Sequence, residues 1–214
     1  SRLACILMLL FIFLLTGCSE LSSEPEGSGV EPQVENGIIH WGGDYDDKGM
    51  SVIQTVDGGY AVAGSQYSTT SLNDALLAKF SSQLENTDST ISGSTTTNTV
   101  ANDILQLQDG GYVVVGTQSN GTNTDVWVAT FSATLEKVAE NIYEGGYDDE
   151  GNSIYIDNNS GDFIVSGSTV DCHETTLICD SDIALWKFSR ALGSVGTLLW
   201  NGEDGNVAKD QTND

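Results

Sequence analysis

From residue 37 onward, apolar and polar residues alternate in short runs separated by Gly, Asp and Asn. MSVIQTV (50–56), DILQLQ (103–108) and NSIYID (152–157) form one set of runs. YAVAGSQ (60–66), YVVVGTQ (112–118) and FIVSGST (163–169) form a second, and DALLAKF (74–80), DVWVATF (125–131) and DIALWKF (182–188) a third. Short runs rich in Val, Ile, Tyr and Phe, bounded by turn formers, predict β-strands. No stretch beyond Cys18 carries a helical period. In the third set Leu76, Ala78 and Phe80 share one face, as do Trp127, Ala129 and Phe131, and Ala184, Trp186 and Phe188. The opposite faces are apolar as well, with Ala75 and Leu77 or Ile183 and Leu185. Strands apolar on both sides predict sheets sandwiched between other sheets.

The runs recur as a unit. DGGY stands at 57–60 and again at 109–112, and a degenerate SGDF follows at 160–163. Upstream lie GGDYDDKG from Gly42 and GGYDDEG from Gly145. A period near 50 residues is that of four-stranded propeller blades. The fold expected is therefore all-β, a β-propeller of about 50-residue blades, of which about three are visible in an open or truncated ring. IIHW (38–41) and GTLLW (196–200) are expected as outermost, fourth strands, the first of them completing the last blade and fastening the ring.

The pattern W-G-G-x-x-x-D-x-G-x-S-V-x-x-T-x-D-G-G-Y-x-V-x-G, best seen from Trp41 to Gly64, resembles the DGGY-containing β-propeller repeats of bacterial and archaeal surface lipoproteins, distantly similar to kelch blades. The Asp109 unit lacks the GG-x-x-x-D opening, and the Ser160 unit keeps the opening but loses the tyrosine. The resemblance covers nearly all of residues 37–210 and implies further blades beyond Asp214. It is informative for fold and weak for function.

The start of the chain has a different character. One positive charge, Arg2, precedes an apolar run from Leu3 that is too short to span a membrane and suits a signal peptide. Its end, Leu15-Thr16-Gly17-Cys18, resembles the bacterial lipobox, so residues 1–18 are expected to be a lipoprotein leader and Cys18 the lipidated residue. Residues 19–36 hold both prolines and almost no large apolar side chain, which predicts a flexible tether. Residues 37–214 form the repeat region. These features point to a chain anchored through lipid in the cell envelope, at the outer membrane or surface of a bacterium.

Charge narrows the partners. Beyond Cys18 there are six basic against 31 acidic residues, which disfavours nucleic acid and anionic lipid headgroups. Cys172 and Cys179 flank a short inserted loop and in an exported protein are expected to form a disulfide. Asp44, Asp46 and Asp47, with Asp148 and Asp149 at equivalent positions, are a candidate calcium set, although Asp and Gly are also what tight turns require. No other cofactor is expected. His173, Glu174, Thr175 and Thr176 in the cysteine loop are the candidate contacts for a protein or glycan ligand. His40 and His173 are the only imidazoles, and no nucleophile motif accompanies either, so no catalytic residue is assigned. Two functions remain: a non-catalytic, membrane-anchored binding or display module, or the scaffold of a larger exported enzyme or adhesin.

Overall fold

The computed structural model describes residues 33–35, 38–67, 72–94, 96–172, 179–200 and 207–209. The leader, Cys18 and the loop residues His173, Glu174, Thr175 and Thr176 lie outside these. Every regular element among the described residues is a strand: β1 (Gln33–Glu35), β2 (Ile38–His40), β3 (Asp47–Gln54), β4 (Tyr60–Tyr67), β5 (Asn73–Phe80), β6 (Asn86–Ser92), β7 (Asn98–Gln106), β8 (Tyr112–Ser119), β9 (Thr124–Phe131), β10 (Lys137–Tyr143), β11 (Asp149–Ile156), β12 (Phe163–Cys172), β13 (Cys179–Phe188), β14 (Ser194–Trp200) and β15 (Val207–Lys209).

These strands make three antiparallel meanders, β3-β4-β5-β6, β7-β8-β9-β10 and β11-β12-β13-β14, the last extended by the short β15. The sheets stack face to face. One core joins Ala61, Ala63, Ala75 and Leu77 of the first sheet to Ile104, Tyr112, Val114, Trp127 and Phe131 of the second. A second joins Val113, Val115, Val126 and Val128 to Ile154, Phe163, Val165, Trp186 and Phe188 of the third. Alternate residues of β8 and β9 thus serve opposite interfaces, as the two-sided apolar pattern requires. β7 packs on β3, β4 and β5, and β11 on β7, β8 and β9, so each sheet lays its first strand across the preceding one. The described strands close no ring.

A bulge recurs in each first strand. The register shifts between Gly49 and Ser51, between Ala101 and Asp103, and between Gly151 and Ser153. Opposite lie Gly64, Gly116 and Gly167, where a Cβ would stand 1.8, 1.8 and 1.7 Å from the carbonyl oxygens of Lys48, Val100 and Glu150. The V-x-G of each second strand therefore meets a need for close backbone approach, and the bulge re-aims the next side chain.

Several expectations are corrected. β6 and β10 are fourth strands that the apolar pattern did not reveal. The first strands begin earlier, at Asp47, Asn98 and Asp149, so Asn98–Asn102 is strand although the unit lacks the GG-x-x-x-D opening. Gln33–Glu35, expected in the tether, pairs with Ile38–His40. β2 accordingly joins a hairpin, and it hydrogen-bonds to none of the three sheets. β14 is the fourth strand anticipated from GTLLW.

Candidate functional site

The bulged first strands bring one polar position of every unit together. Ser51, Asp103 and Ser153 are equivalent, and the Asp103 carboxylate joins the other two. Its Oδ1 accepts the Ser51 hydroxyl at 2.8 Å and the Ile104 N–H at 2.9 Å. Its Oδ2 accepts the Ser153 hydroxyl at 2.8 Å and the Ile154 N–H at 3.0 Å. Four donors fill the acceptor sites of a carboxylate. Asp103 is thus a fastener across three sheets and has no lone pair left to act as a general base.

The acidic turns form a second polar region, at the rim. Asp148 Oδ1 accepts from the Thr124 N–H at 2.8 Å and from its hydroxyl at 3.3 Å, crossing from the third sheet to the second. The equivalent Asn98 accepts from the Asn73 N–H at 2.9 Å, crossing from the second sheet to the first. Asp47 Oδ2 accepts from the Gly43 N–H, closing its own turn. Asp149 is buried at the same position two repeats later, with Oδ2 lacking a hydrogen-bond partner. Burial raises its carboxyl above the usual range, hydrogen bonds from Thr169 and Gly145 oppose this, and the Asp148 charge adds to the rise. Burial likewise raises Asp125, and Glu144, Asp149 and Asp148 push it further.

Of the five acidic residues proposed for calcium, Asp148 and Asp149 lie near enough to Asp125 for their charges to raise its carboxyl, while Asp44 and Asp46 lie exposed in the turn before β3. Among the described residues, no three His, Cys, Asp or Glu side chains form a group able to hold a metal ion. Among the five, Asp47 closes its turn and Asp148 caps the junction between the second and third sheets. In the DGGY turn, Asp57 accepts from the Thr55 hydroxyl and from the Gly59 N–H. Only the first glycine of that motif takes positive φ (84° at Gly58, 86° at Gly110). The second is needed for space instead, since a Cβ there would stand 2.4 or 2.5 Å from the carbonyl oxygen of Phe80 or Phe131.

Cys172 and Cys179 lie directly opposite each other at the end of the β12–β13 pair. Those strands have ten residues each, against eight in β4, β5, β8 and β9. His40 is exposed at the end of β2.

Sequence reasoning missed a set of leucines. Leu84, Leu135 and Leu192 occupy the left-handed region (φ 66°, 59° and 64°) in the turns between third and fourth strands. Each donates its N–H to a serine carbonyl three residues back, at 3.0, 3.0 and 2.8 Å. Glycine is the usual occupant of such a position. The spacing of these leucines, three residues after Ser81, Ser132 and Ser189, was the available signal. Comparison with protein-family models and with curated proteins gives no match.

Proposed function

We propose that this chain is a non-catalytic display and binding module, held at the bacterial cell envelope by a lipid on Cys18, whose sheets are blades of a β-propeller. The observation that carries the binding reading is the lengthened β12–β13 hairpin. Its two added residue pairs, Asp171 with Asp180 and Cys172 with Cys179, make this strand pair longer than those of the other sheets. Opposed antiparallel residues have Cα separations within the range a disulfide accepts, so a bond between Cys172 and Cys179 would brace that loop. Meander sheets laid one on the next, first strand to first strand, support the blade reading.

The test has two arms. Chain expressed with its own leader in bacteria fed an alkyne fatty acid should take up label, and Cys18→Ala should abolish it. On a glycan array and against envelope extracts, the mature chain should retain a ligand that a variant with alanine at His173, Glu174, Thr175 and Thr176 loses. Unchanged retention by that variant would remove the loop from the binding site.

A further inference from the structure

The turns at the DGGY end of the sheets repeat closely, and three departures from the repeat fall in one place. At the junction of the first and second sheets, Lys79 donates from Nζ to the Ala133 carbonyl of the next sheet at 3.4 Å, so its side chain spans the gap there. The third sheet holds Lys187 at the equivalent position, paired with Asp162 at 3.0 Å. The second sheet has Thr130 instead, which is too short to cross. Between the second and third sheets a cleft of about 340 Å³ opens, with Thr130, Leu107, Phe131 and Val138 on one wall and Arg190 on the other. Both walls belong to adjacent sheets within the described residues.

The other two departures line the same cleft. In the first unit the turn aspartate, Asp57, is held by the Thr55 hydroxyl and the Gly59 N–H. In the second unit the buried Leu107 stands where Thr55 does. Asp109 keeps the glycine bond, at 3.1 Å from the Gly111 N–H, and loses the hydroxyl donor. Arg190 stands where the first and second units have Ser82 and Ala133, and after Arg2 it is the one arginine in a chain of net charge −24. Its guanidinium lies 3.8 Å from Asp109 Oδ2, a long ion pair whose side chains are 49% and 69% exposed. Val138, bulged out of the β9–β10 ladder, is 70% exposed and adds an apolar surface at the mouth.

An apolar floor beside an adjacent carboxylate and guanidinium selects by charge. A plain carboxylate gains Arg190 and is repelled by Asp109, and a plain amine meets the reverse. A molecule with both charges on neighbouring atoms satisfies both, replacing one long, solvated ion pair by two charge-assisted hydrogen bonds. We infer that the cleft between the second and third sheets binds free α-amino acids with a bulky apolar side chain. The carboxylate meets Arg190, the ammonium meets Asp109, and the side chain lies on Leu107, Phe131 and Val138. The volume is at the small end of ligand sites, which suits a single amino acid. The cleft lies at the end of the strands away from Cys172 and Cys179, so it is separate from the ligand contacts proposed at that loop.

Nuclear magnetic resonance on the isotope-labelled full chain in detergent micelles tests this, with L-leucine and L-phenylalanine as probes. The Gly111 N–H and Arg190 Nε–H signals should shift saturably with a Kd in the millimolar range, because exposed charges each contribute little. Glycine, isoamylamine and isocaproate each lack one of the three contacts and should bind about tenfold more weakly or worse. Equal binding by any of these three would overturn the recognition proposed, and so would the absence of a saturable shift with both amino acids. Arg190→Gln, at an exposed site, should weaken phenylalanine binding by about tenfold or more. Thr130→Lys, which gives the second sheet the lysine of the other two, should fill the cleft and abolish binding. If Thr130→Lys fails to fold, Arg190→Gln decides alone, and an unchanged affinity in it sinks the assignment. The variant with alanine at residues 173–176 should still bind phenylalanine, so this site and the loop stand or fall separately.

Discussion

A leucine in the left-handed region costs about 1–2 kcal/mol relative to its usual conformations. Leu135 and Leu192 recover that cost because the same turn drives their side chains into the cores between sheets, where both are buried. Leu84, which is exposed, keeps the backbone strain without the burial. Opposite outcomes follow for one substitution. Leu135→Gly should lower stability by about 2 kcal/mol, since the lost burial exceeds the strain relieved. Leu84→Gly should raise it by about 1 kcal/mol. Urea denaturation of the two variants checks the pair, and the same sign at both sites would refute the account. At Gly116 the demand is harder, because an added Cβ would meet the Val100 carbonyl at 1.8 Å. Gly116→Ala should therefore cost more than about 3 kcal/mol or abolish folding, since it must push two paired strands apart.

At the scale of the element, the first strands hold the stack in register through Asp103. Asp103→Ala leaves two serine hydroxyls and the Ile104 and Ile154 N–H groups without their acceptor. A loss of about 2–4 kcal/mol is expected, with Ser51→Ala and Ser153→Ala nearer 1 kcal/mol each. A double-mutant cycle between Asp103 and Ser153 should show coupling, and strict additivity would deny the bridge. The second and third strands were legible in the sequence because apolar residues stand on both of their faces, which in the middle sheet are both buried. Of the fourth strands only β14 was, from GTLLW. NTDSTIS and KVAENIY are edge strands, exposed or half-buried at every residue but Ser92, whose composition is set by solvent. The early part of each first strand was obscured by its bulge, which breaks the period of two at Met50, Asn102 and Asn152. Asp103 itself read as a strand residue of no special interest, because nothing local distinguishes it from the serines it replaces.

For the whole molecule, acidity and burial act together on the dependence of stability on pH. Burial raises the carboxyls of Asp74, Asp125 and Asp149 above their unfolded values, so the folded chain holds protons that the unfolded chain has released. Stability from these groups is greatest at and below the unfolded carboxylate range and is lost as pH rises through the folded values. Asp57, Asp157 and Asp162 shift the other way, through hydrogen bonds from Thr55, from the Asn159 N–H and from Lys187 respectively, and their contribution is lost as pH falls through their depressed values. The thermal midpoint should therefore rise as pH is lowered from 7 to about 5 and fall again well below the ordinary carboxylate range. A net charge of −24 produces a rise in the same direction by self-repulsion, so the cause must be separated from it. Salt does this. Repulsion between surface charges is screened beyond about 10 Å at 0.1 M salt, whereas the desolvation of Asp149 and Asp125 is not. At high salt the remaining slope between pH 7 and 5 should belong to the buried carboxylates and should shrink in Asp149→Asn. A slope that salt abolishes in the unaltered chain would assign the whole effect to net charge and leave the buried pair without a role in it.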